Sequence, residues 1–389
     1  MSRSSRFLFA LAAAVAAAGV MPRAFAAPLP PGDLFAFPAS PPSPASAVSC
    51  GLAMADRWLG DSPFDHAAGA LRSEVSVSPI VSRTSRQDLR AANNAYDETS
   101  AFFDAAGGYA AFSPRAHDWG VALYASQPAL RREEIAFTHG EEGAPTAPYS
   151  ITAEAESREA RVGLAAALRV RGIEFGVAPE WTSHSDRFVR DERSAGGPTA
   201  GVTSWDFSGS AVGALLSARG TLPASLPGHL RVGASARYVP ELSLDGTVVE
   251  VADGPEAALS VTRESAWEGG VSIEAAPSPA VRVIAGAGGR TATAWTGFAA
   301  ANGASIQYAI AAEYRDPETP WRARIGIGRE SNPGTPEPGA GVLGLGLGWT
   351  DHRLSCDVGV LHRGIPRAAA PTSSDDRVVG SVTYRFADR

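Results

Sequence analysis

Arg161-Val162-Gly163-Leu164-Ala165-Ala166-Ala167-Leu168-Arg169-Val170-Arg171 is the stretch that decides the fold. In an extended chain successive side chains point to opposite faces. Val162, Leu164, Ala166, Leu168 and Val170 therefore share one face, and Arg161, Gly163, Ala165, Ala167, Arg169 and Arg171 share the other. The first face is apolar and the second is small or basic. Arg231 to Tyr238 repeats the pattern, and Val342 to Trp349 sets Leu343, Leu345, Leu347 and Trp349 against Gly344, Gly346 and Gly348. Gln307 to Tyr314, Arg322 to Gly328, Leu354 to Arg363 and Val378 to Phe386 alternate likewise.

Working outward from these segments, the periodicity predicts fourteen strands, at about 74–83, 106–115, 117–126, 155–171, 173–186, 203–220, 228–240, 259–276, 280–293, 303–316, 320–331, 339–351, 352–363 and 377–386. Links after even-numbered strands are mostly tight, such as Ala116, Gly172, Pro277-Ser278-Pro279 and Pro317-Glu318-Thr319, with Thr221 to Pro227 somewhat longer. Links after odd-numbered strands are longer and polar, as in Arg187 to Val202, Glu241 to Ala258 and Gly364 to Asp376. Short turns alternating with long loops are the signature of an antiparallel transmembrane β-barrel, and an even strand count puts both termini on the periplasmic side of an outer membrane. Trp181, Tyr238, Trp267, Trp295, Tyr314, Trp321, Trp349 and Tyr384 stand at strand ends, where interface girdles would place them. The face opposite the apolar one carries Arg161, Arg169, Arg171, Arg231, Arg237, Arg324 and Arg385 beside Glu174, Glu180 and Glu313. That composition is expected of a wet lumen.

Composition narrows the function. Charged residues are 19% of the 389, the net charge is −7, and all 34 basic residues are arginine. An acidic chain lacks the basic footprint of a nucleic-acid binder. Two cysteines, Cys50 and Cys356, do not make a disulfide scaffold or a four-thiolate zinc site. Cys356 alternates with Leu354, Val358 and Val360, so it is expected on the lipid face, away from Cys50 and unpaired with it. Residues 1–26 read as a signal peptide: Arg3 and Arg6, an uncharged run from Phe7 to Val20, then Ala24-Phe25-Ala26 as the cleavage site. That run is shorter than the roughly 20 residues a bilayer-spanning helix needs.

Residues 27–73 show no strand periodicity and are rich in proline and small side chains, as a plug inside a barrel spanning 74–389 would be. They end in Asp65-His66-Ala67-Ala68-Gly69-Ala70-Leu71 just before the strand Val75-Ser76-Val77-Ser78-Pro79. This ending, the fourteen strands, the proline-bearing loop Asn332 to Pro338 and the run Leu343 to Trp349 leading into Leu354-Ser355-Cys356-Asp357 resemble the FadL-type outer-membrane transporter family. The family's Asn-Pro before Ala-Gly is absent here. The resemblance implies passive uptake of hydrophobic compounds such as long-chain fatty acids, caught among outer loops and released sideways through a distorted strand near the hatch. Trp119 to Pro128, with its Gly120 and Pro128, is the expected place for that distortion. A general diffusion porin and a surface component binding protein partners are the alternative readings. The expected partners are the lipid bilayer, lipopolysaccharide and a hydrophobic ligand, with no nucleic acid and the barrel a monomer.

Leu34, Phe35 and Phe37, with Trp58 and Phe64, are the candidate ligand contacts, being the large apolar side chains of the hatch. No catalytic or metal-binding constellation stands out. Gly60-Asp61-Ser62 matches the nucleophile triplet of Gly-Asp-Ser-Leu esterases, but no histidine has the required aspartate three positions upstream, so the triplet reads as a turn. No Gly-x-Ser-x-Gly, His-Glu-x-x-His or phosphate loop is present, and no cofactor is expected.

Overall fold

A computed structural model describes residues 62–86, 94–114, 117–139, 149–194, 204–222, 230–249, 255–296, 300–302, 304–316, 318–331, 340–365 and 373–386. Residues 1–26, read as a signal peptide, Cys50, and the candidate ligand contacts Leu34, Phe35, Phe37 and Trp58 lie outside these residues. The strands are β1(Glu74–Arg86), β2(Asn94–Phe112), β3(Trp119–His139), β4(Tyr149–Val170), β5(Ile173–Ser194), β6(Ser204–Thr221), β7(Arg231–Val239), β8(Leu242–Val249), β9(Ala257–Arg263), β10(Ala266–Ser278), β11(Val281–Arg290), β12(Thr293–Thr296), β13(Ala300–Asn302), β14(Ser305–Arg315), β15(Trp321–Ser331), β16(Gly341–Asp351), β17(Leu354–Ile365) and β18(Ser373–Arg385). Four adjacent pairs, β7 with β8, β9 with β10, β11 with β12 and β13 with β14, are two lengths of a single barrel strand. The wall is therefore a closed, fourteen-stranded, antiparallel barrel sealed by β1 against β18.

Local chemistry makes these strands and turns. Arg171 and Gly172 both have positive φ, 49° and 83°, the backbone of a two-residue hairpin whose twist matches its strands. Along β5, Phe175, Val177 and Trp181 face outward while Glu174, Gly176, Ala178 and Glu180 are buried inside. The same holds around the barrel, from Leu164 and Leu168 on β4 to Leu345 and Leu347 on β16. An apolar outside over a charged inside is stable only against lipid, and a closed barrel leaves no unpaired sheet edge there. Trp181, Trp267, Tyr314, Trp321 and Tyr384 are exposed on the outer face, in the girdle positions expected of them, and Tyr238 packs on Trp267 with ring centroids 5.3 Å apart. Cys356 takes the lipid-facing side of β17, alternating with exposed Leu354 and Val358.

Three expectations need correction. The link read as Arg187 to Val202 is strand as far as Ser194, and the link Glu241 to Ala258 contains β8 and the start of β9. The strands β4 and β5 have 22 residues each, about 70 Å at 3.3 Å per residue, against an apolar band of about 25 Å. Above the band the outer face meets water, so the lipid-facing apolar half of the alternation ends there in the sequence. Trp295 is not a girdle residue, because it points inward and is buried. The arginine face is not a freely hydrated lining either: Arg161, Arg219, Arg263, Arg324 and Arg363 are buried inside the barrel.

Candidate functional site

From the short-turn end upward, the interior is built in four levels. The lowest is the hatch end. A short 3-10 turn, Ala67–Ala70, follows a bend in which Ser62 Oγ donates to Asp65 Oδ2 at 2.7 Å, so the serine of the esterase-like triplet sits in a turn. Small wall residues let the turn in close. A Cβ on Gly176 would lie 2.3 Å from the Ala68 nitrogen, and one on Gly120 would lie 2.1 Å from the Ala70 oxygen. The wall then grips the turn's main chain: Ala68 N–H donates to Ser217 Oγ at 3.1 Å, and Arg219 Nη2 donates to the Ala68 carbonyl at 3.4 Å. These bonds answer main-chain groups that would otherwise be buried unpaired.

Phe64 forms the second level. It is 2% exposed and packs edge-on to Tyr109 and Tyr124, at 5.9 and 6.3 Å between centroids. Tyr124 itself lies over Gly163, where a Cβ would come within 2.2 Å of its ring. Of the predicted ligand contacts, Phe64 is the one within the described residues, and its surroundings are wall rings.

Charge fills the third level, and it crosses the lumen. Arg237 donates to the Phe64 carbonyl and, through Nε, to Glu180 Oε2 at 2.8 Å, while Tyr124 donates to Glu180 Oε1 at 2.6 Å. Arg161 of β4 reaches Glu268 of β10 with two bonds of 2.9 and 3.0 Å and also donates to Glu159. Glu159 in turn accepts from Arg263 of β9 at 2.7 Å. Because β5, β6 and the β7/β8 strand separate β4 from the β9/β10 strand in the wall, these bonds span the interior between strands four positions apart. His184 is hydrogen-bonded to Asp186 beside them. Buried charges persist only when paired this way.

The fourth level is apolar. Phe188, Trp205, Phe207, Leu242, Leu244, Val248, Val261 and Trp295 form one buried cluster on the inner faces of β5, β6, β8, β9 and β12, toward the long-loop end. Phe188 and Trp205 stack at 4.2 Å. The cluster exists because the wall bends here. Strands are interrupted at Pro240-Glu241, Glu264-Ser265 and Thr291-Ala292 in three adjacent barrel positions while register is kept across them: Leu242 pairs Arg263 just as Val239 pairs Ala266. Gly209 and Gly246 allow close approach at the bend, since a Cβ on either would meet backbone oxygen near 2 Å (2.1 and 1.9 Å). Under the cluster Arg263 sits 5.9 Å from the Trp295 ring centroid. Arg263 is 2% exposed, and its Nε and Nη2 have no hydrogen-bond partner among the described residues. The same is true of Nε and Nη2 of Arg290 and Oγ1 of Thr293.

The wall also opens. β2 pairs with β3 from Asn94↔His139 to Thr99↔Glu134 and again from Gly107↔Ser126 to Phe112↔Val121, and among the described residues no pair joins 100–106 to 127–133. On their other sides both runs stay in the sheet, against β1 and β4. Pro128 lies in the opened run of β3, and a proline has no N–H to offer a ladder. Register shifts at Ser78/Pro79 and at Ser126/Ala129 flank the opening. Inside it, Ile80, Ala106 and Val379 belong to a second buried apolar cluster. Phe103 is 76% exposed on its outer lip, and Phe64 lies just below, 3.3 Å from where a Cβ on Gly107 would stand. The sequence expected the distortion at Trp119 to Pro128, but 121–126 keep their ladders to β2 and β4, and the opened run of the third strand is 127–133, overlapping that stretch only at Gln127 and Pro128.

A barrel of fourteen strands, a turn at residues 62–71 seated inside it beneath a buried apolar cluster and a lateral break between the second and third strands is a distinctive combination. The fold is the FadL-type fold. The chain is similar to the crystal structure of a Pseudomonas aeruginosa FadL homologue, with a TM-score of 0.63 and 10% identity over 90% of this chain and 99% of that one. It is also similar to the Ralstonia pickettii toluene transporter TbuX, with a TM-score of 0.58 and 14% identity over 89% and 98%, and to the CymD monoaromatic hydrocarbon channel, with a TM-score of 0.57 and 13% identity over 88% and 97%. No protein-family model matches the chain, and no curated protein matches it. FadL-type architecture was readable from the strand count and the hatch-end motif, whereas the apolar cluster was not, because its members come from five strands and each looks like ordinary strand alternation.

Proposed function

We propose that this FadL-type barrel carries hydrophobic compounds across an outer membrane, taking them into the upper apolar cluster and releasing them through the opening between β2 and β3. The observation that carries the reading is the pairing of those two features in one wall: a buried apolar site above a lumen-crossing layer of ion pairs, and a lateral break lined inside by Ile80 and Ala106. An apolar solute gains nothing from a straight aqueous path, and a sideways exit delivers it to lipid. The similar toluene transporter and hydrocarbon channel support the same class of cargo.

Finer still, the cargo is read as amphiphilic, with long-chain fatty acids the familiar case. Unpartnered donor nitrogens of Arg263 and Arg290 directly beneath the apolar residues suit a carboxylate or other polar head, with the tail among Phe188, Phe207 and Leu244. Leu34, Phe35, Phe37 and Trp58 remain proposed contacts from the hatch. The test is uptake of a fluorescent long-chain fatty acid by cells expressing the protein, compared with cells lacking it and with the Phe35→Ala/Phe37→Ala variant. Equal uptake with and without the protein would rule out the transport reading; normal uptake by the variant would remove the hatch contacts from it. A diffusion porin predicts instead that small polar solutes pass and fatty acids do not.

A further inference from the structure

Seven residues of β2 and seven of β3 face each other without ladder bonds, and side chains stand in for the missing main-chain contacts. Asp104 of β2 accepts the N–H of the next residue, Ala105, at 2.7 Å, which fixes the carboxylate at the break. It also accepts from Gln127 Nε2 of β3 at 3.4 Å, and its Oδ2 lies 3.9 Å from Arg158 Nη2 of β4. One carboxylate therefore links three consecutive strands across the break.

We infer that Asp104 is the latch of this lateral opening, holding its lips together through contacts weak enough to exchange during passage of a ligand. The inference rests on the reading of the opening as an exit. Three observations carry it. The cross-lip contacts are long and lie at a partly exposed rim, where such bonds and ion pairs contribute little and break readily. Beside the latch, Gln127 Oε1 is buried and has no hydrogen-bond partner among the described residues, so it can accept from a passing hydroxyl or protonated carboxyl while Nε2 leaves Asp104. Finally, both lips are bounded by register shifts that contain or adjoin Pro79 and Pro128, which lets each lip move without tearing its outer ladder.

The experiment pairs a structural readout with a transport readout. Spin labels are placed at Ala105→Cys on β2 and Val162→Cys on β4, both outward-facing, in a Cys50→Ser/Cys356→Ser background, and their distance distribution is measured by pulsed electron spin resonance in bilayers. Asp104→Ala should broaden and lengthen that distribution and raise fatty-acid uptake by about five-fold, the worth of one ordinary hydrogen bond. Gln127→Ala should act in the same direction, and Asp104→Asn, which keeps the Ala105 contact, should act less. Heat-modifiable gel mobility confirms a folded barrel in each. An unchanged distribution in both alanine variants overturns the latch, as does a fall in uptake by a folded Asp104→Ala barrel. A broadened distribution with no uptake by any variant or by the wild type upholds the latch and removes the transport reading instead.

Discussion

Glu180 receives a phenol and a guanidinium, from Tyr124 and Arg237, and Arg237 also holds the Phe64 carbonyl. Removing the carboxylate leaves Arg237 with the Phe64 carbonyl and a long 3.5 Å contact to Glu268, so Glu180→Ala is expected to cost about 3 kcal/mol of barrel stability, read as a shift of the urea midpoint for refolding into micelles. Glu180→Gln keeps one acceptor oxygen and should lose less. An unaltered midpoint in the alanine variant would mean that water replaces the pair. In the apolar level, Phe207 is buried among Leu242, Leu244 and Trp295. Phe207→Ala should weaken fatty-acid binding roughly ten- to hundred-fold, from the loss of one buried aromatic contact worth about 1.5–3 kcal/mol, whereas Leu345→Ala on the lipid face should leave it unchanged. Titration of a fluorescent fatty acid into purified protein separates the two.

Among elements, the 3-10 turn and the strands that receive it depend on side chains that are not there. Gly176 on β5 and Gly120 on β3 sit under Ala67–Ala70 with no room for a Cβ. Gly176→Val should therefore unseat the hatch end while leaving β5 in register, because valine suits a strand. The expected outcome is a folded barrel with faster proteolysis near residue 66 and a raised conductance in planar bilayers. Wild-type proteolysis would show that the turn can shift to accommodate the methyls. The alternation on β5 shows how much of this was legible: Phe175, Val177 and Trp181 declare the lipid face, and Glu174 and Glu180 the inner one. That Gly176 is a seat is invisible, since glycine is frequent in these strands and its partner is the main chain of a segment about a hundred residues earlier.

Taken as a whole, the molecule joins strands four positions apart in the wall through Arg161–Glu268 and Glu159–Arg263 below an apolar chamber. A barrel so crossed should show little steady ion conductance in planar bilayers, unlike a diffusion porin. Deleting residues 28–60, the proposed body of the plug, should raise that conductance, and no rise would count against a plug. The deletion separates the two contributions: a rise assigns part of the block to the plug, and a low conductance that survives it assigns the block to the wall's own ion pairs. Non-reducing mass spectrometry supplies a further check: a Cys50–Cys356 peptide pair is not expected, since Cys356 lies on the lipid side of the wall.

Sequence alone determined the strand count and the face of each strand that meets lipid, because period-two alternation acts within a few residues; it pointed to the third strand for a distortion, but at Trp119 to Pro128, whereas the opened run is 127–133. It also marked the basic inner face, but as a wet lining. Tertiary structure decided that Arg161 finds Glu268 and that Arg263 finds Glu159, partners about a hundred residues apart, and so turned that lining into a bridge. It likewise turned Trp295 inward from the girdle and gathered Phe188, Trp205, Phe207 and Leu244 into one chamber. Closing a sheet into a barrel brings together side chains whose spacing in the chain is set by loops and strand lengths, and above the apolar band no outward apolar face remains to report how long those strands are.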